Sequence, residues 1–221
     1  MFRTKLSDRI LPQYSKGEEI FNMVSHIVGG ALSIAAMVLC IIVAALHSNP
    51  WGVVASCIYG VTMTALYTMS SIYHGLRPGT AKKVFQIMDH CTIYFMIAGS
   101  YMPFIFCTIR EQNPFACWII FAIEWILVAI ATTLTAIDLE KTKKLSMLCY
   151  IGMGWTIILF YKDLVAGLAP VGLVLLVISG VLYTLGAVIY SFKRKYAHSI
   201  FHIFVVFGSI CHFFSVILYV L

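Results

Sequence analysis

Charge is scarce in this chain. Lys, Arg, Asp and Glu make up 11% of its 221 residues, less than half of what an ordinary soluble domain carries. Long polar stretches are missing too. No segment between the apolar runs is long enough for a soluble domain, and no repeat or low-complexity tract interrupts them. None of the seven cysteines stands in C-x-x-C spacing, which excludes a thiolate metal site of that type. They lie in apolar runs and read as small buried hydrophobes. Residues 1–21 lack the apolar core of a cleavable signal peptide and are expected to form a short cytoplasmic segment.

What is present is apolar: 61% of the residues are hydrophobic. A soluble domain of this size cannot hide that much surface, so the expected fold is all-α, a polytopic membrane bundle. Runs long enough to cross a bilayer fall at about 23–46, 52–73, 84–107, 115–136, 145–164, 170–192 and 198–220. That predicts seven transmembrane helices in one domain over residues 22–221. The fifth run is the weakest, because "YIGMGW" dilutes it and "YKD" ends it early. "HSNP", "GLRPGTAKK", "REQNP", "DLEKTKK", "KDLVAGLAP" and "KRK" separate the runs.

The net charge of +6 is topological. Arg3, Lys5, Arg9 and Lys16 precede the first span. Arg77, Lys82 and Lys83 follow the second, Lys141, Lys143 and Lys144 the fourth, and Lys193, Arg194 and Lys195 the sixth. Thirteen of the 15 basic residues thus fall on one side, against Arg110 and Lys162 on the other. By the positive-inside rule the N-terminus is cytoplasmic and the C-terminus outside. The basic balance then implies contact with anionic membrane lipids and no nucleic acid.

With that orientation, the costly polar residues gather at one depth. "EEIFNMVSH" opens span one with Glu18, Asn22 and His26, and "SSIYH" closes span two with Ser70 and His74. Asp89 sits about one turn into span three, and "HSIFH" opens span seven with His198 and His202. Ionisable groups inside spans are functional candidates by default. Residues four apart share a helix face, so His198 and His202 can chelate one ion. Three neutral imidazoles with a position left for water is the pattern of a catalytic zinc, and a nearby carboxylate commonly orients the water. His74, His198 and His202 as ligands with Asp89 beside the open position fit it. His212 lies ten residues beyond His202, about 15 Å along the helix, too deep to join the same ion.

Blander readings compete. H-x-x-x-H alone is a weak motif, and His26 can equally cap a helix or snorkel. Glu18, Asn22 and Ser70 also read as interhelical hydrogen-bonding glue, and "SKGE" matches a capping box that would occupy Glu18. His90 is expected to point away from Asp89. Glu124 is a lone mid-span acid, either a packed neutral carboxyl or part of a proton or substrate path. Co-location of ligand-type residues from three spans weighs for the metal site.

"EEIFNMVSH", "SSIYH", "MDHCTIYFMIAGSYMP" and "HSIFHIFVVFGSICHF" together make the whole chain resemble the hemolysin III family. These are bacterial members of the progestin and adipoQ receptor group, placed in a superfamily with alkaline ceramidases. The resemblance implies seven helices in a bacterial inner membrane, with zinc on His74, His198 and His202. It also implies Asp89 beside the water position and Ser70 close by. Three functions compete: a zinc-dependent hydrolase of a lipid amide or ester acting in lipid homeostasis, a cytolysin, and a sensor of membrane state with structural zinc. Seven well-formed spans suit a secreted toxin poorly.

Overall fold

The computed structural model describes residues 4–192 and 194–221. Two of the charges counted above, Arg3 and Lys193, lie outside the described residues. The chain is 88% helical and has no strand among the described residues. Seven helices are long and apolar enough to cross a membrane: α1 Lys16–Leu46, α2 Pro50–Gly75, α3 Thr80–Gln112, α4 Pro114–Ile137, α5 Leu139–Gly167, α6 Pro170–Ser191 and α7 Ala197–Tyr219.

The breaks have local causes. Both Asn-Pro pairs are helix starts. Asn49 accepts a hydrogen bond from the Gly52 amide at 2.8 Å, and Asn113 accepts one from the Ala116 amide at 3.1 Å. Proline then takes the first helical position, where its missing N–H costs nothing. Ser15 and Glu18 form the expected capping box at the start of α1. Helix α1 therefore begins at Lys16, before the apolar run itself.

Both boundaries of the fifth span shift outward, to Leu139 and Gly167. The stretch "KDLVAGLAP" is not one long loop: Tyr161–Gly167 is helical, and the chain turns only at Leu168 and Ala169. The weak fifth span is long and apolar enough to cross, but it is broken by a 3-10 segment over Thr156–Phe160. Tyr101 of α3 mends that break, its hydroxyl donating to the Met153 carbonyl at 2.7 Å and accepting from the Ile157 amide at 3.1 Å. Helix α3 loosens too, into a π turn at Ile105–Ile109 just after Pro103.

Helix α3 is the hub, with 72% of its apolar window buried. It packs on α2 and α4, while α1 pairs with α2 and α6 with α7. Close approach needs glycine at two places. A Cβ on Gly99 would lie 2.0 Å from the Thr62 hydroxyl, and one on Gly29 would lie 2.5 Å from the Tyr67 ring. Helices α5 and α6 scarcely touch. A cavity of about 470 Å³ fills the space among α3, α5, α6 and α7.

The cysteines depart from expectation. All seven are free thiols, but Cys57 is exposed, and Cys149 and Cys211 are only half-buried. Cys57 therefore faces outward from the bundle, where an apolar thiol suits lipid as well as a core.

Candidate metal centre

The last turn of α2 and the first turns of α7 supply the cage. A left-handed turn at Tyr196 (φ 62°) starts α7, and Glu18 accepts the Tyr196 amide at 2.7 Å, pinning that start to α1. His198 and His202 then project one turn apart from α7 toward His74. The His198 Nε2 lies 3.1 Å from the His74 Nε2 and 3.0 Å from the His202 Nε2, and all three rings are buried. The three nitrogens fall within 4.8 Å of one another.

The donor set fits a metal ion. Three neutral imidazoles meeting through Nε2 set lone pairs against each other unless a cation lies between them. A tetrahedral site with ~2.0–2.1 Å bonds would hold such nitrogens about 3.3–3.4 Å apart, close to the spacing found. The outer nitrogens fix the tautomers of His74 and His202. His74 Nδ1 donates to the Glu19 carboxylate at 2.7 Å, and His202 Nδ1 faces the Asn22 carbonyl at 3.3 Å and the Ser25 hydroxyl at 3.4 Å. An Nδ1–H on a carboxylate or carbonyl leaves the Nε2 lone pair free for an ion.

Glu19 and Lys82 escaped sequence reasoning. Glu19 holds His74 with one oxygen and the Lys82 ammonium with the other, also at 2.7 Å. Lys82, taken above for a loop charge, lies in the first turns of α3 and is only 2% exposed. It also donates to the Leu76 carbonyl at 3.0 Å and stands over the Tyr73 ring. The missed signal was helical spacing: Glu19, Asn22 and His26 sit three and four residues apart on one face of α1. Glu18 drew notice instead, yet its carboxylate is committed to the Ser15 box and the Tyr196 amide.

Tyr14, also unforeseen, covers the cage from the chain's N-terminal side, stacked on His198 at 5.1 Å. The segment that carries it crosses this end of the bundle. The Thr4 amide and hydroxyl donate to Asp138 at 3.0 and 2.8 Å, and Arg9 donates to the Ile137 carbonyl at 3.2 Å. Burial pushes the Tyr14 phenol well above its ordinary range, with Tyr190 and the nearby acids adding to it, so it stays protonated. The hydrogen bonds from Thr4 hold the Asp138 carboxyl well below its ordinary range.

Ser70 and Asp89 are buried and line the 470 Å³ cavity together with His26, His198 and His202. Asp89 stands outside the three-nitrogen group. His90 does not point away from it: its Nδ1 lies 3.5 Å from Asp89 Oδ2, swung back because the same nitrogen donates to the Gln86 carbonyl at 2.8 Å. His26 stacks on His202 with ring centroids 3.6 Å apart. His212 lines the same cavity away from the cage, donating from Nε2 to the Ser100 carbonyl at 3.0 Å, near the Ser179 hydroxyl. Glu124 is fully buried among α3, α4 and α5 and does not line the cavity.

Known proteins are similar to this chain over most of its length. The family model described as "Haemolysin-III related" matches residues 14–213. Hemolysin-3 of Bacillus cereus is 40% identical over 205 residues, covering 92% of each chain. The Hemolysin-3 homolog of Bacillus subtilis (strain 168) is 36% identical over 203 residues, covering 91% of this chain and 94% of that one. The monocyte to macrophage differentiation factor of Homo sapiens is 29% identical over 183 residues, covering 77% of this chain and 72% of that one. The chain, a multi-pass membrane protein whose histidine cage could hold a metal ion, belongs to the Haemolysin-III related family.

Proposed function

We propose that this protein is a zinc-dependent hydrolase of a lipid amide or ester, acting in lipid homeostasis at the cytoplasmic leaflet of the bacterial inner membrane. One observation carries the reading: the three-histidine cage opens, through His198 and His202, on a largely apolar cavity also lined by a buried carboxylate and hydroxyl, Asp89 and Ser70. Three imidazole ligands with room for a fourth group favour zinc over the harder ions. Zinc held there would lower the pKa of water to near 7 and polarise a carbonyl.

The chain's own residues do the rest. Glu19 fixes the His74 ring, and the Asn22 carbonyl fixes that of His202. Asp89 takes the proton of the attacking water, and Ser70 orients the carbonyl from α2. The apolar walls of Leu66, Ile93, Met96, Phe201 and Val205 receive the acyl chain and keep bulk water out. The sparse seam between α5 and α6 lets that chain in from the bilayer. The positive-inside distribution supports the leaflet.

The test is Asp89→Asn in purified, zinc-loaded protein offered fluorogenic lipid amides and esters. Loss of a general base costs about 10²–10⁴-fold in rate, and metal content should hold. Unchanged turnover in Asp89→Asn would remove Asp89 from the mechanism. No turnover in the unaltered protein would favour the structural-zinc sensor. The cytolysin reading rests on the names of the two Bacillus relatives. It requires leakage from liposomes that carry the protein.

A further inference from the structure

Glu124 stands ten residues into α4, about 15 Å from its start and so near the middle of an apolar core of ~30 Å. It is 0% exposed, and neither of its carboxyl oxygens has a hydrogen-bond partner among the described residues. The hydrolase scheme has no use for it, because it lies outside both the cage and the cavity. Buried polar groups are almost always hydrogen-bonded, and a bare carboxylate is among the costliest groups to place in hydrocarbon. A counter-ion would relieve it. Among the described residues, α3, α4 and α5 set no lysine, arginine or histidine against it.

Its polar neighbours are two hydroxyls. Thr156 is the first residue of the 3-10 break in α5, and Tyr101 of α3 is the one ionisable side chain that faces the acid. Both O–H groups are already spent on carbonyls of α5. Thr156 donates to the Gly152 carbonyl at 3.2 Å. Tyr101 donates to the Met153 carbonyl at 2.7 Å and accepts from the Ile157 amide at 3.1 Å. What Thr156 has left to offer is lone pairs. An ionised carboxyl only accepts, so it would set lone pairs against lone pairs. A carboxylic acid has an O–H to donate. We infer that Glu124 is a proton-binding site, whose acid O–H is offered, directly or through one water, to the Thr156 hydroxyl and latches the broken turn of α5 to α4.

The latched turn has neighbours that matter. Gly154, Trp155, Ile157 and Ile158 are part of the cavity wall. Trp155 also donates its indole N–H to the Thr184 hydroxyl at 3.0 Å, a polar tie across the sparse seam between α5 and α6. When bulk base takes the proton, the carboxylate left behind must draw an O–H to itself. It can do so only by turning Thr156 away from Gly152 or Tyr101 away from Met153. Either move releases the 3-10 segment. Proton occupancy of Glu124 therefore sets how firmly this wall and the seam beside it are held.

Infrared difference spectra of the purified protein in detergent, unaltered minus Glu124→Gln, test the site without zinc or turnover, so the result stands apart from the hydrolase reading. The unaltered protein at neutral pH should show the carbonyl stretch of a protonated carboxyl that Glu124→Gln lacks. Thr156→Val keeps the shape but removes the acceptor, and should move that band to higher frequency. Raising the pH should remove the band. Amide hydrogen exchange over residues 153–160 should then run about tenfold faster in the unaltered protein than in Glu124→Gln, whose carboxamide cannot ionise and still donates to Thr156. Comparing the two proteins at one pH cancels the base catalysis of exchange itself. A difference spectrum that shows only carboxylate, at neutral and mildly acid pH alike, overturns the inference. So does sodium that stabilises the unaltered protein and not Glu124→Gln, which would put a metal cation where the proton is placed. Equal exchange in the two proteins once the band has gone refutes the latch. Where Glu124→Gln does not fold, Thr156→Val decides alone, and a carboxylic-acid band that it leaves unmoved overturns the assignment.

Discussion

At the scale of single residues, Glu19 matters most after the three histidines. It takes the outer N–H of His74 and neutralises the buried Lys82 ammonium. Outer-shell carboxylates of this kind are worth roughly 10–100-fold in metal affinity. Glu19→Gln should weaken metal binding by about that factor in a chelator-competition titration. It should also lower thermal stability, since Lys82 then stays buried without an anion. Lys82→Met removes that buried charge and should keep the metal more tightly than Glu19→Gln does. Equal affinities in Glu19→Gln and the unaltered protein would show that the 2.7 Å contact does not support metal binding. The sequence hid this residue behind its neighbour, because Glu18 matches a capping motif and Glu19 matches none. Lys82 was hidden by the topology count, in which a lysine beside a span end is simply a loop charge.

At the scale of elements, the seven spans were legible because each is a long apolar run ended by Asn-Pro, by basic residues or by a turn. The cage was legible because histidines four residues apart on α7 and at the end of α2 had to reach the same depth. The interior of α5 was only half legible. "YIGMGW" announced a weak helix, but what repairs it, the Tyr101 hydroxyl, comes from α3, and no local pattern reveals a partner 52 residues away. Tyr101→Phe leaves the Met153 carbonyl and the Ile157 amide without that bridge. The expected cost is about 1–3 kcal/mol, seen as a lower midpoint of thermal unfolding. Faster hydrogen exchange should accompany it over residues 153–160. An unchanged exchange rate there would mean that the 3-10 segment holds without Tyr101.

At the scale of the whole molecule, orientation decides which leaflet the cage serves. Thirteen basic residues against two predict that a reporter fused after Leu221 registers outside the cytoplasm. One inserted between Lys141 and Lys144 should register inside. A reversed result at either position would move the site to the outer leaflet. A metal held in the cage would also have a mechanical role, since the cage joins the end of α2 to the start of α7. Removing an ion bound only by the folded state should therefore lower the unfolding midpoint.

The central claim is that His74, His198 and His202 hold one functional zinc, and metal analysis of the purified protein tests it most directly. Inductively coupled plasma mass spectrometry should find about one zinc per chain. Most of it should be lost in His74→Ala, His198→Ala or His202→Ala, and retained in His212→Ala, whose ring is held by Ser100 away from the cage. Protein that folds and carries no metal would contradict the account, as would a His212→Ala variant that empties the site while His202→Ala does not.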